Sequence, residues 1–288
     1  MAWLNIVLQG TLLGGLYALF AAGLSLMFGV MRLVNIAHGD LIVLSAYCSL
    51  VIVQATGLHP LLSLGLVVPL MFAFGYALQR GLLNRTLGGD ILPPLLVTFG
   101  LSVIIQNALL ETFSADSRRL QAGALETASL RLGDAISLGW LPIIVFATAV
   151  LVIALLRFLL YRTALGRAFR ATSDDPETAQ LYGVDIRHVF GLATAVALSV
   201  LSIAGVLLAI RTNFDPTIGP ARLLYAFEAV TIGGLGSPWG TLAGGIILGV
   251  AQSLGAAFDP GFEILAGHLA FLAVLLVRPR GLFPRMAD

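Results

Sequence analysis

Residues 2–31 read AWLNIVLQGTLLGGLYALFAAGLSLMFGVM, with no Asp, Glu, Lys or Arg anywhere in the run. A helix crosses the hydrocarbon of a bilayer in about 20 residues, so this stretch alone is long enough to span. It begins where a signal peptide would, but no Arg or Lys precedes it, it is too long, and no clear small-residue cleavage site follows. It reads as a retained span. The rest of the chain repeats the pattern. Further charge-free runs cover 41–79, 91–110, 135–156, 188–210, 229–258 and 264–277.

The run from Leu41 to Gln79 holds two crossings, with Thr56-Gly57-Leu58-His59-Pro60 as the turn. The run from Ala229 to Phe258 is broken by GGLGSPWG at 233–240 and reads as two short helices. The last run starts earlier, through Phe262 and Leu265, with Glu263 near the interface. Nine crossings follow, near 6–28, 40–55, 60–80, 92–112, 139–161, 188–210, 222–236, 240–258 and 261–278. The expected fold is all-α: one polytopic transmembrane helical bundle over 1–288, of about eight or nine spans, with broken or short helices.

Composition agrees. Of the 288 residues, 58% are hydrophobic and 11% charged, against about 25% charged in soluble domains. All 16 basic residues are arginine. Without lysine there is no Walker A phosphate site and no Schiff-base chemistry. A net charge of +1 argues against nucleic-acid binding. The single cysteine, Cys48, forms no internal disulfide, and His38, His59, His188 and His268 lack ligand spacing, so no metal site is expected. Gly-x-Ser occurs at Gly23–Ser25 and Gly100–Ser102, and His38 could serve as a base. No Gly-x-Ser-x-Gly elbow is present, so no catalytic residue is assigned.

Arginines sort the loops. With 157–187 inside, 11 arginines (32, 80, 85, 157, 162, 167, 170, 187, 278, 280 and 285) lie inside and five (118, 119, 131, 211 and 222) outside. The N-terminus is then outside and the C-terminus inside. The outer loop 112–137 is expected to form a small cap or interface helix. The inner segment 162–187 concentrates charge. Ser173 before Asp174-Asp175-Pro176-Glu177 resembles a helix start, and Gly183 its stop.

Glycines four apart (10 and 14; 236, 240 and 244; 245 and 249) suit close helix packing. Asn35–Ile42 and Thr217–Leu224 each precede a span, in opposite directions, as in an inverted repeat. Ionisable groups in spans are costly and mark function. The candidates for a solute pathway are Asn35, as a cap of the second span, with His38, Gly39, Asp40, Glu228, Gly233 and Gly234. Glu228 also has Arg222 six residues back as an alternative partner. Glu111 reads as an interfacial charge.

Four motifs in order resemble the permeases of branched-chain amino-acid ABC transporters, nearest the LivH-type subunit. They are Gly15-Leu16-Tyr17-Ala18-Leu19 through Val34-Asn35-Ile36-Ala37-His38-Gly39-Asp40, and Gly166-Arg167-Ala168-Phe169-Arg170-Ala171 with Asp174 and Gly183-Val184. Ala226-Phe227 with Ile232-Gly233-Gly234-Leu235-Gly236-Ser237 follows, then Arg278-Pro279-Arg280-Gly281-Leu282-Phe283. The resemblance implies a multi-pass permease of the bacterial inner membrane, with no cofactor of its own. ATP would be bound by two cytosolic ABC ATPases. It also implies a second homologous permease subunit in a heterodimer and a periplasmic solute-binding protein. Gly166, Arg167, Arg170, Asp174 and Gly183 then belong to an ATPase-coupling loop within 162–187. Two departures matter: Asp40 stands where many relatives have glutamate, and Glu228 replaces a small or apolar residue. Urea, short amides and other amino acids remain alternative solutes, and a stand-alone ion-coupled transporter the alternative class.

Overall fold

A computed structural model of the protein describes residues 2–87, 92–132 and 136–283. Its helices are α1 (Ala2–Met31), α2 (His38–Thr56), α3 (Pro60–Gly81), α4 (Leu92–Phe113), α5 (Ala124–Thr127), α6 (Trp140–Arg162), α7 (Ala164–Asp174), α8 (Pro176–Leu181), α9 (Ile186–Arg211), α10 (Gly219–Gly233), α11 (Pro238–Phe258) and α12 (Phe262–Val277), with a 3₁₀ turn at Leu83–Arg85. Every expected crossing has its helix. Seven are long and apolar enough to span a membrane. The other two are short. α10 has 15 residues and α12 has 16, about 22 and 24 Å at 1.5 Å per residue, against a hydrocarbon thickness of about 30 Å.

The cap over 112–137 contains more than a helix. Beside the four-residue α5, strands β1 (Ser129–Leu132) and β2 (Ile136–Gly139) pair antiparallel, with Ser129 opposite Gly139. Arg118 also bridges to Phe214 through two main-chain hydrogen bonds of 2.8 and 2.9 Å. Arg285, counted above among the inner arginines, lies outside the described residues.

The centre of the bundle is α1 and α9. α1 packs against α11, α9, α10 and α6, and α9 against α3, α1 and α2. The outer helices turn large apolar side chains outward, including Leu62, Phe99, Phe158 and Leu272. Lipid is as apolar as these side chains, so burying them gains little and helices associate instead through close packing. Glycine supplies that packing where α1 meets α11. A Cβ on Gly14 would sit 2.5 Å from the Ile246 Cα, and one on Gly249 2.4 Å from the Gly10 carbonyl oxygen. Gly14→Leu therefore has to part the two backbones, a change that costs at least about 1–3 kcal/mol. The expected result is loss of the monodisperse peak in size-exclusion chromatography of the detergent-solubilised protein. A peak like that of the unmodified chain would contradict this packing.

The chain between α1 and α2 turns back into the bundle. Arg32 has a positive φ of 53°, a left-handed turn that a non-glycine residue seldom takes. Residues 33–37 then run back along α1. His38, the first residue of α2, lies beside Phe20, and its Nε2–H donates to the Phe20 carbonyl at 2.7 Å. Phe20 is eleven residues before the end of α1, about 16 Å along the helix. The return is made by residues 32–35 and a turn at 35–38 in which the His38 N–H donates to the Asn35 carbonyl. The chain between α9 and α10 does the same from the opposite end. Phe214 packs on Tyr47 of α2, and Gly219, the start of α10, lies against Asp40. Both helices thus begin inside the bundle.

Candidate solute path and coupling site

At the crossing of the two helix starts, backbone meets backbone. A Cβ on Gly39 would fall 1.9 Å from the Gly219 carbonyl oxygen, and one on Gly219 2.0 Å from Asp40 Oδ1. Asn35, His38 and Asp40 are all buried. Asn35 is not the cap expected of it: the cap position of α2 is Ala37, with no side-chain cap bond. Asn35 instead closes the turn before the helix, its Oδ1 accepting from the Ala37 N–H at 3.0 Å and its carbonyl from the His38 N–H at 3.2 Å. Among the described residues its Nδ2 has no hydrogen-bond partner, nor has His38 Nδ1. A carbonyl can only accept, so the contact to Phe20 places the proton of a neutral His38 on Nε2 and leaves Nδ1 as an acceptor. The site therefore offers an unused donor and an unused acceptor.

The fourth wall is α4. The Thr98 hydroxyl accepts from the Ile36 N–H at 3.2 Å, and Gln106 Nε2 donates to Asp40 Oδ1 at 3.0 Å and to the Ser102 hydroxyl at 3.2 Å. Thr98, Ser102 and Gln106 stand four apart on one face of a helix. Such a polar stripe in an apolar span is legible in sequence, and it is missing from the residues singled out there. Asp40 is thus a buried carboxylate with an amide donor and no cationic partner among its hydrogen bonds. It has the chemistry to receive a cationic group of a solute.

Glu228 does not join this site. It turns toward α12, where its Oε1 is hydrogen-bonded to His268 Nδ1. The alternative partner, Arg222, instead stacks 5.9 Å from the Tyr225 ring centre. Nearby, the Tyr17 hydroxyl donates to Gln252 Oε1, which joins α1 to α11. The Glu228 side chain is 2% exposed and that of His268 34%, and Glu228 Oε2 has no partner among the described residues. His268→Leu would strip the remaining contact from a buried carboxylate, which costs about 1–3 kcal/mol. A lower unfolding midpoint is expected, partly recovered in the double variant Glu228→Leu/His268→Leu. A double variant no more stable than His268→Leu alone would show that the pair carries no such weight.

Gly233 and Gly234 occupy a third place, where α10 turns into α11. A Cβ on Gly233 would lie 2.0 Å from the Gly240 carbonyl oxygen. The C-terminal tail straps this turn: the Leu282 N–H donates to Ile232 and the Phe283 N–H to Gly233, each at 2.9 Å. Of the seven pathway candidates, Asn35, His38, Gly39 and Asp40 are together, and Glu228, Gly233 and Gly234 are elsewhere.

Residues 6–277 match the model of a family described as the branched-chain amino acid transport system permease component. The chain belongs to that family. It is similar to the high-affinity branched-chain amino acid transport system permease protein BraD of Pseudomonas aeruginosa, 29% identical over 98% of this chain and 96% of the relative. It is 27% identical, over the same shares, to LivH of Escherichia coli. The fructose import permease protein FrcC of Rhizobium meliloti is 31% identical over 84% of this chain and 69% of its own. The chain is thus an ABC-importer permease subunit, and such subunits are not enzymes.

In this permease, segment 162–187 forms two helices. Ser173 does not start one: it lies in the last turn of α7, and its hydroxyl donates to the Gly29 carbonyl at 2.7 Å. The cap of α8 is Asp175, whose Oδ1 accepts from the Thr178 N–H at 3.1 Å. Its bonds to the Thr178 hydroxyl and N–H hold this carboxyl below its usual pKa. Pro176 explains the choice, because proline favours the first helical position and so selects the residue before it as cap. Gly183, at φ +85°, ends α8 as expected.

α7 is fastened to the bundle. A Cβ on Gly166 would lie 2.1 Å from the Leu159 carbonyl oxygen, and Phe169 is fully buried. Arg170 donates to the Leu160 carbonyl and stacks over Tyr161. Arg167 and Asp174 remain exposed. α8 projects beyond this anchor, with Leu181 and Tyr182 each 86% exposed. The latter two are the feature that sequence reading undervalued.

Proposed function

We propose that the protein is the LivH-type permease of an importer for branched-chain or related aliphatic amino acids. The 162–187 end faces the cytosol of a bacterial inner membrane, and the N-terminus and the 112–137 cap face the periplasm. Solute passes near the crossing of α2 and α10, and alternating access needs no catalytic residue. The observation that carries this reading is that crossing: two helix starts inside the bundle, from opposite directions, around buried Asn35, His38 and Asp40. Broken helices meeting near the midplane are how transporters present N–H groups to a carboxylate, and Asp40 is placed for an ammonium. Two of the three relatives above are named for branched-chain amino acids and match 98% of this chain. The third is named for fructose and matches 84%, so solute is decided by details within one architecture.

The partners follow from the family. Two cytosolic ABC ATPases bind ATP, a second permease subunit completes a heterodimer, and a periplasmic binding protein delivers solute. α8 is the ATPase contact, with Leu181 and Tyr182 as its apolar tip and α7 as its mount. An exposed apolar pair on a charged segment is a feature of docking surfaces. The whole of 1–288 acts as one permease domain. Co-purification and mass spectrometry of the tagged chain should return both ATPases and a second permease. Recovery as a lone chain that transports solute with an ion gradient would support the stand-alone alternative. An impermeant thiol reagent in the periplasm should leave a cysteine at position 175 unlabelled, and labelling there would reverse the orientation.

A further inference from the structure

The cap end of the bundle carries a cleft of about 330 Å³, lined by Leu50 and Gln54 of α2, Glu111 and Phe113 of α4, and Arg118 of the loop that follows. It carries both signs of charge. Glu111, on the last turn of α4, is exposed and has no hydrogen bond or ion pair among the described residues. Arg118 is brought back over the cleft by Ser114, which holds a left-handed φ of 61°. The two main-chain bonds to Phe214 fix its backbone. Its guanidinium is loosely engaged: Nη2 donates to the Phe113 carbonyl at 3.3 Å, Asp116 stands 3.8 Å away, and Nε is buried with no partner among the described residues. Leu50 and Phe113 make the apolar wall.

The cleft has a floor. Tyr47 packs between Phe113 and Phe214, at ring distances of 4.6 and 5.0 Å. Tyr47 and Phe214 are fully buried, and the Tyr47 hydroxyl has no hydrogen-bond partner among the described residues. Asp40 and Gln106 lie seven residues below Tyr47 and Phe113 on the same two helices, about 10 Å deeper. An aromatic layer thus separates the outer cleft from the buried crossing.

We propose that this cleft is a reception site for an aliphatic amino acid, with Glu111 holding the ammonium, Arg118 the carboxylate, and Leu50 and Phe113 the side chain. The inference rests on the amino-acid permease reading and extends it to a second site above the crossing. A free carboxylate and an under-used guanidinium across an apolar wall match a zwitterion with an apolar side chain. A neutral sugar or urea leaves both charges unanswered. Opening the Tyr47 layer then passes the solute down, and the Tyr47 hydroxyl gains a partner as the layer parts.

The test uses the purified, assembled transporter without its binding protein, and saturation-transfer NMR with L-leucine as the probe. Leucine should bind saturably, and neither isoamylamine nor 4-methylpentanoate, each carrying half of the zwitterion, should displace it at equal concentration. Glu111→Gln and Arg118→Gln should each raise the half-saturating concentration at least tenfold, and Arg118→Lys should raise it less. These side chains are partly or wholly exposed and the bridge to Phe214 is main-chain, so the variants keep the fold. Affinity for the binding protein is measured in the same variants. Unchanged leucine binding in both Gln variants, or loss of binding-protein affinity alone, overturns the reception site. If the unmodified transporter still takes up leucine in that case, the permease reading stands. Absence of leucine uptake by the unmodified transporter overturns the amino-acid reading itself.

Discussion

Gly39→Val is expected to abolish solute uptake by the assembled transporter. The space a side chain would need is already filled. The nearest atoms are the Gly219 carbonyl oxygen at 1.9 Å, its carbon at 2.7 Å and the Leu223 nitrogen at 2.8 Å, all backbone. A flexible side chain could swing away, but these atoms move only if α10 moves. Overpacking of a core commonly costs about 1–3 kcal/mol, and here the strain falls on the two helix starts. Parting them lifts Gly219 away from Asp40 and uncovers a buried carboxylate. Gly65→Val is the control, because no atom lies within 4 Å of its Cβ position on the outer face of α3. Uptake in vesicles should vanish in the first variant and persist in the second. Equal uptake in both would mean that the crossing is not part of the path. Asn35→Ala should act in the same direction more mildly, since it removes one hydrogen bond of the turn into α2, which is worth about 1 kcal/mol.

The second large effect is expected at the other end. Leu181→Asp combined with Tyr182→Asp should abolish uptake and the binding-protein-stimulated hydrolysis of ATP. Both side chains are 86% exposed, so the permease loses no packing, and its own stability should change by no more than about 0.5 kcal/mol. The loss arises only when an ATPase groove has to accept two carboxylates in place of an apolar tip. Arg170→Glu makes the contrast. Arg170 is turned inward onto Leu160 and Tyr161, so its replacement should lower the unfolding midpoint as well as uptake. Full stimulated hydrolysis in the double aspartate variant would leave α8 a plain connector.

The spans were legible because lipid imposes a simple rule. Each charge-free run long enough to cross holds one or two of the spanning helices, and the double glycine at 233–234 marked a real break. The crossing was half legible: the Asn35–Asp40 motif pointed to it, but Gly219 and the Thr98–Ser102–Gln106 stripe reveal their roles only in three dimensions. The pairing of Glu228 with His268 joins residues forty positions apart, and no local pattern reports it. The Arg222 alternative was excludable from sequence, because positions six apart do not share a helix face. The pairing of β1 with β2 escaped because strands of four residues are too short to show alternation. At Ser173-Asp174-Asp175-Pro176 three capping residues competed, and the proline that decides among them was already in view.

ATP-driven uptake measures the central claim most directly. Proteoliposomes holding this chain, its partner permease and both ATPases, with ATP inside and loaded binding protein outside, should accumulate labelled leucine, isoleucine or valine. Omitting this chain, or replacing Gly39 with valine, should reduce accumulation to background. Accumulation of a neutral solute alone would contradict the solute assignment, and accumulation that persists without this chain would contradict its role as the permease.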